Sequence, residues 1–140
     1  MSVRVFVDTN VLVYFRDGTE GQKQLRAGEW LNWLWENRSG RLSCQVLNEY
    51  YVTVTQKLKP GLDQVAARND LLDLMTWNPL PVDGAVMQRA WRIQDRFHLS
   101  WWDALIVSAA GISGCRHLLT EDLQHGQQFF DLTVVSPFQT

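Results

Sequence analysis

Four acidic residues, spread along the whole chain, stand next to apolar segments. Asp8 comes directly after a β-branched and aromatic run, and Asp122 comes two residues after another apolar run. Glu49 and Asp103 lie near the starts of two further apolar segments. Carboxylates in such positions could bind a divalent cation or transfer protons during hydrolysis.

Each of these acids also has a structural explanation, which the sequence leaves open. Asp8 could cap the helix that follows it, because aspartate accepts hydrogen bonds from the first free N–H groups of a helix. Ser100 and Asp103 have the spacing of a capping box. Glu49 could be an exposed residue of an amphipathic helix, and Asp122 could be a turn residue.

Hydrophobic periodicity divides the chain into short strands that alternate with helices. We predict strands at residues 3–7, 41–44, 80–82, 117–120 and 132–135. We predict helices at residues 11–15, 22–37, 45–58, 63–76, 84–97 and 100–112. This alternation predicts an α/β fold with a mainly parallel sheet.

A parallel sheet would bring the four acids to one edge, because strand ends and the starts of the following helices lie there. A cluster of carboxylates repels itself, and it is stable only with a cation or with raised pKa values. Oxygen ligands without paired histidines suit Mg²⁺ or Mn²⁺. Zinc is disfavoured because His98, His117 and His125 lack ligand spacing.

Length and composition set the class of protein. With 140 residues and 46% hydrophobic content, residues 1–140 are expected to form a single domain. Cys44 and Cys115 show no metal-ligand spacing, so we expect reduced thiols. Arg4 and Asp8 interrupt any signal-peptide core, and residues 104–110 are too few to span a bilayer. These observations predict a cytoplasmic protein without a membrane segment.

The formal net charge of −2 neither favours nor excludes nucleic acid as a partner. If a metal site occupied four of the 15 acids, 11 would remain against 13 basic residues. Arg89, Arg92 and Arg96 fall at helical spacing and could contact RNA phosphates. A solvated helix face is the alternative explanation for this arginine stripe.

Four short motifs in order resemble the PIN-domain nucleases, and most closely the VapC-type toxins of toxin–antitoxin pairs. They are Asp8-Thr9-Asn10, residues 45–50 around Glu49, residues 102–106 around Asp103, and residues 120–123 around Asp122. The resemblance extends over essentially the whole chain. It implies a three-layer α/β/α fold around a five-stranded, mainly parallel sheet.

The same resemblance implies an endoribonuclease that depends on Mg²⁺ or Mn²⁺ and cleaves RNA. It makes the metal-binding and catalytic acids Asp8, Glu49, Asp103 and Asp122. Asp122 is preferred to the adjacent Glu121, although either acid could point inward. Supporting polar groups would be Thr9 or Asn10, Thr120 and, as a weaker candidate, Ser43. The family further implies a homodimer and a small antitoxin protein as partner.

Three other functions compete with this one. A PIN-like domain could bind RNA or protein without cutting, and a structural α/β domain could use its acids only as helix caps. A haloacid-dehalogenase-like phosphatase also begins with a strand that ends in aspartate. That family needs a second aspartate two residues later, where this chain has Asn10.

Overall fold

One sheet lies at the centre of the computed structural model, which describes residues 3–139. Within these residues the sheet has five strands in the order β2-β1-β3-β5-β4, and β4 alone runs antiparallel to its neighbour. The strands are β1 (Val5–Val7), β2 (Gly40–Arg41), β3 (His117–Leu119), β4 (Gln128–Phe129) and β5 (Leu132–Val135). The predicted mainly parallel, five-stranded α/β fold is therefore confirmed.

Six α-helices lie within the described residues. They are α1 (Thr9–Arg16), α2 (Gln22–Glu36), α3 (Cys44–Val52), α4 (Gln64–Leu74), α5 (Gly84–Phe97) and α6 (Trp101–Ile112). A π-helical turn, Thr53–Lys57, continues α3, and a 3-10 turn, Met75–Trp77, follows α4. Short polar side chains cap five of the six helices. The capping residues are Asp8 for α1, Ser43 for α3, Asp63 for α4, Asp83 for α5 and Ser100 for α6.

The helices cover both faces of the sheet. α1 and α2 connect β1 to β2, whereas α6 lies in the connection that returns from β2 past β1 to β3. Connections between parallel strands are right-handed, so two that run in opposite directions across a sheet cover opposite faces. The result is the expected three-layer α/β/α arrangement.

The core explains why β1 and α6 are so apolar. All three residues of β1 are buried, as expected for a strand covered on both faces. Every residue from 104 to 110 in α6 is buried as well, which explains why this helix is apolar nearly all round. α6 packs mainly on α5 and also contacts β3 and β5.

One predicted strand is displaced and another is wrong. The strand predicted at residues 41–44 is β2, which lies at Gly40–Arg41 and ends early because Ser43 caps α3 and Cys44 is its first residue. In the predicted strand 80–82, Leu80 forms only an isolated parallel bridge with Ser43.

The strand that sequence reasoning missed is β4. β4 and β5 form a hairpin in which Phe129 pairs with Leu132, so Phe130 and Asp131 form the turn. Tight hairpin turns need a positive φ and usually carry glycine or asparagine there. Phe130 takes this conformation with φ of 60°, so the usual turn signal is absent from the sequence. Its ring packs edge-on against Phe97.

Element ends differ by smaller amounts elsewhere. β1 begins at Val5 rather than residue 3, and α1 begins at Thr9 rather than residue 11. Predicted helix 45–58 is α-helical only to Val52 and continues as the π-helical turn. No helix within residues 3–139 has the length and apolar character needed to cross a membrane.

Gly40 is a sharp test of how closely β2 packs. A Cβ atom on Gly40 would lie 2.5 Å from the ring of buried Trp77. Gly40→Ala must therefore move Trp77, and we expect a loss of about 2 kcal/mol in the free energy of unfolding, as for other overpacked sites. Urea denaturation measures this loss.

Gly84→Ala is the matched control. Gly84 opens α5, and a Cβ atom there would meet nothing within 4 Å. This variant should be as stable as the wild type or slightly more stable, because alanine favours helix. Equal urea midpoints for the two variants would contradict the close packing inferred at Gly40.

Candidate active site

Asp8 lies at the junction of β1 and α1 and is buried. Its backbone N–H donates to Leu119 O of β3, which places Asp8 at the carboxyl edge of the sheet. One carboxylate oxygen accepts from the Thr9 N–H at 2.7 Å. The other accepts from Thr120 Oγ1 at 2.9 Å. Asp8 thus caps a helix and also presents a buried carboxylate at this edge.

Asn10 and Thr120 connect the polar groups around Asp8. Thr120 is fully buried, and its Oγ1 accepts from Asn10 Nδ2 at 3.0 Å and from the Asp122 N–H at 3.1 Å. Asn10 Nδ2 also lies 3.2 Å from Asp122 Oδ2. Asn10 Oδ1 accepts from the Glu121 N–H at 3.2 Å. These two side chains therefore tie the loop after β3 to the start of α1.

Glu49 approaches the same place from α3. Its Oε1 accepts a 2.8 Å hydrogen bond from Thr9 Oγ1, and its Oε2 accepts a longer one, 3.4 Å, from Gln45 Nε2. Because Thr9 directly follows Asp8, this bond brings Glu49 beside the Asp8 carboxylate. Thr9 therefore supports the cluster through Glu49.

Asp103 enters the cluster from the first turn of α6. Its N–H donates to Ser100 Oγ at 3.2 Å, so Ser100 caps the helix. The reciprocal half of a capping box does not form among the described residues, because no hydrogen bond reaches the Asp103 carboxylate there. This half-buried carboxylate faces the cleft with its acceptor sites free.

Asp122 and Glu121 follow β3 side by side and have different partners. Glu121 accepts from Tyr14 Oη and from Lys23 Nζ, the latter at 2.7 Å. Burial raises the pKa of Glu121, but the hydrogen bonds from Lys23 and Tyr14 outweigh it and lower the pKa overall. Asp122 accepts only from Asn10 among the described residues. Asp122 is therefore the better candidate for the fourth acid.

All four acids line one open cleft of about 850 Å³. Residues that sequence reasoning did not single out line it as well, among them Tyr14, Gln45, Asn48, Lys57 and Trp102. Gln45, Asn48 and Glu49 are spaced so that they share one face of a helix. This spacing could have indicated from the sequence that Gln45 and Asn48 line the cleft beside Glu49. The approach of Lys57 depends on the π-helical turn, for which the sequence gives no signal.

Two sets of residues named from the sequence lie away from the cleft. Ser43 is buried as the cap of α3 and does not line the cleft. None of the stripe arginines lines it either, and Arg89 and Arg96 lie over the ring of Phe130. A contact between these arginines and RNA stays a prediction.

The family comparison covers most of the chain. The PIN domain family matches residues 5–127, most of the chain, and the match includes all four acids. The chain belongs to the PIN domain family. No curated protein sequence matches it.

Solved structures share the PIN-domain fold. A chain of a toxin–antitoxin complex from Klebsiella pneumoniae is 18% identical, with a TM-score of 0.70 and coverage of 97% of this chain and 99% of that one. VapC20 of Mycobacterium tuberculosis, a Sarcin-Ricin loop cleaving toxin, is 16% identical with a TM-score of 0.59, covering 81% and 86%. VapBC2 from Rickettsia felis, bound to a promoter DNA fragment, is 16% identical with a TM-score of 0.63, covering 94% and 97%.

The electrostatics of this PIN domain centre on Asp8. Burial raises the pKa of Asp8 from 3.8 to about 7, although hydrogen bonds from Thr9 and Thr120 oppose it. The charges of Asp122 and Glu49 raise it further. Partial burial, together with the charges of Asp103 and Glu121, also raises the pKa of Asp122. No cationic side chain offsets these effects on the pKa of Asp8 or of Asp122.

The donor set of the cluster fits a hard divalent cation. Carboxylate, hydroxyl and amide oxygens are the ligands of Mg²⁺ and Mn²⁺. The ion pairs among the described residues, Arg16–Asp70 and Lys23–Glu121, neutralise none of the four acids. No three acidic, histidine or cysteine side chains within residues 3–139 are close enough to surround an ion. Metal binding would therefore require the acids to move together, with water and substrate oxygens as further ligands.

The raised pKa of Asp8 predicts a pH-dependent stability of the metal-free protein. Because the pKa of Asp8 is higher in the folded state than in the unfolded state, the contribution of Asp8 to stability is greatest below about pH 4, where Asp8 is protonated in both states. This contribution is lost as the pH rises through 7 and the buried carboxyl group ionises. The side chain in Asp8→Asn cannot ionise, and the variant therefore does not lose this stability. At pH 8 the variant should exceed the wild type in stability by up to about 4 kcal/mol, and at pH 4 the two should be nearly equal. Urea denaturation at both pH values measures the difference.

Asp63→Asn is the matched control, because Asp63 is an exposed cap of α4 and asparagine caps equally well. Added Mg²⁺ should stabilise the wild type at pH 8 and should stabilise Asp8→Asn much less. A variant less stable than the wild type at pH 8 would mean that the Asp8 charge is satisfied without a cation.

Proposed function

We propose that this PIN domain is a Mg²⁺- or Mn²⁺-dependent endoribonuclease that hydrolyses RNA phosphodiester bonds. The observation that carries the proposal is the buried carboxylate of Asp8, which shares one cleft with Glu49, Asp103 and Asp122 and has no cationic partner among the described residues. Such an arrangement is unfavourable for folding alone, and it suits an ion held by carboxylates and phosphate oxygens.

In this mechanism the four acids would hold the cation, which when bound supplies an activated water and charge neutralisation at the phosphate. Asn10 and Thr120 keep the Asp8 and Asp122 carboxylates in place through their hydrogen bonds. Thr9 holds Glu49 toward the cleft. Asp103 has free acceptor sites and can receive a proton from water in the cleft.

The proposal extends to the biological role of a toxin in a toxin–antitoxin pair. Support comes from the fold, which this chain shares with VapC20, a Sarcin-Ricin loop cleaving toxin, and with chains of two toxin–antitoxin systems. A small antitoxin protein as partner, an RNA substrate and a homodimer belong to the same proposal. A reading frame for a small protein adjacent to the gene would support it.

One observation favours a second candidate, a catalytically silent PIN-like domain that binds RNA or protein. The acids in the described part of the chain are not close enough together to form a ready ligand set. A silent domain would retain the cleft and its polar network without cutting. Cleavage assays separate the two candidates.

Cleavage of a mixed pool of structured RNA tests the nuclease. We expect the purified protein to cut with Mg²⁺ or Mn²⁺ and not with EDTA. Asp103→Asn should lower the rate by about 100-fold or more, the scale of a lost catalytic group. Asp95→Asn is the control for charge, because Asp95 is exposed on α5 and does not line the cleft. Cutting by the wild type in EDTA, or at full rate by Asp103→Asn, would contradict the proposal.

The neighbouring acids after β3 give a second test of the same site. Asp122→Asn should lower the rate by at least about 10-fold, because Asp122 faces the other acids and not a cation. Glu121→Gln should keep most activity, because Glu121 already binds Lys23 and Tyr14. Initial rates on one RNA, with melting temperatures of both variants, measure this. If Glu121→Gln lowered the rate more than Asp122→Asn, Glu121 would be the fourth acid of the site.

A further inference from the structure

Trp102 leaves a large aromatic ring in water beside the acids. Its side chain is 61% exposed, although its neighbour Trp101 packs against the core. Both residues lie in the first turn of α6, directly before Asp103. Burying an indole is strongly favourable, so packing of the chain gives no reason for this exposure.

A second cavity adjoins the acidic cleft at this residue. We call it the side groove; its volume is about 640 Å³. Trp102, Gln45 and Asn48 line both the side groove and the acidic cleft. Val82 and Leu105 give the side groove apolar walls. A flat apolar ligand with polar edges would match such a lining.

Gln45 gives an independent sign that a ligand is missing. Its Oε1 is buried and has no hydrogen-bond donor among the described residues. The other end of the amide makes only the 3.4 Å bond to Glu49. A buried acceptor without a donor is unfavourable, so rotation of this amide toward an N–H group in the groove would be favourable. Every nucleobase carries such an N–H group on its pairing edge.

We propose that the side groove is a nucleobase subsite next to the scissile phosphate. In it, one base of the RNA stacks on Trp102 while Gln45 accepts a hydrogen bond from the pairing edge of that base. This inference rests on the proposed ribonuclease function. It makes the substrate class an RNA that is unpaired at this nucleotide, because bases in a helix are stacked on both faces and paired at their edges.

The position of the groove favours RNA over a protein segment as its occupant. The side groove adjoins the acidic cleft and shares lining residues with it, so one RNA strand could place a base in the groove and the neighbouring phosphate at the acids. An indole stacks on any base, and stacking contributes much of the affinity for single-stranded RNA. A peptide segment in the side groove would have no phosphate to place at the acids.

The test removes the base and the indole separately and together. After the cleavage site is mapped, a short single-stranded RNA centred on it is prepared with one abasic nucleotide at each position in turn. For the wild type, we expect loss of one base beside the cut to raise KM by about tenfold. Trp102→Ala should raise KM for the intact RNA by about as much, and it should be insensitive to the same abasic position.

The controls separate stacking from damage to the fold. Trp102→Phe should keep most of the affinity, because phenylalanine also stacks. Trp91→Ala should match the wild type, since Trp91 is similarly exposed, at 55%, and lines neither cavity. A complementary strand that pairs the critical base should protect the RNA from cleavage.

The subsite would be overturned if the increases in KM caused by Trp102→Ala and by the abasic RNA were additive. It would also be overturned if no abasic position raised KM for the wild type. Loss of inhibition by a protein partner with unchanged KM would instead make Trp102 a protein contact and overturn it too. If Trp102→Ala does not fold, the abasic scan with the wild type and Trp102→Phe decides. Absence of any cleavage by the wild type would overturn the proposed function itself, which is a distinguishable result.

Discussion

The candidate site is organised around one carboxylate that is buried without a counter-ion. Asp8 receives hydrogen bonds from Thr9, Thr120 and, at 3.4 Å, Asn10, and none of these donors carries a positive charge. Hydrogen bonds satisfy the oxygens geometrically but offset only part of the cost of removing a charge from water. Because Thr120 follows β3 and Asp8 follows β1, the bond from Thr120 to Asp8 joins these two parallel strands at their carboxyl ends.

This constraint explains the distribution of charge around the cleft. Lys23 and Tyr14 bind Glu121, and Arg16 and Tyr50 bind Asp70, so these two acids have charged or strongly hydrogen-bonding partners. No cationic side chain pairs with any of the four acids of the cluster among the described residues. A fold selected for stability alone would favour apolar side chains or complete ion pairs at these positions. The difference between these two acids and the cluster supports the function proposed for the cleft.

The topology of the sheet made the position of the candidate site predictable from the sequence. Features that depend on contacts between distant parts of the chain could not be predicted in this way. Asp8, Asp103 and Asp122 follow or precede apolar elements, and a parallel sheet must bring such positions to one edge. The choice between Glu121 and Asp122 depends on Lys23, which is 98 positions away in the sequence. β4 was missed because Phe130 takes a conformation that glycine or asparagine normally signals.

The cleft is chemically asymmetric, and this bears on how an RNA would lie in it. Tyr14 and Glu121 form a closed polar contact with Lys23. Trp102 and Gln45, where the cleft adjoins the side groove, present an indole and an unpaired amide oxygen. In the proposed ribonuclease a phosphate needs a cation at the acids, whereas a base needs a stacking surface. The Tyr14 hydroxyl is engaged by Glu121, whereas the Trp102 ring is exposed, so the nucleotide that is recognised should lie beside Trp102.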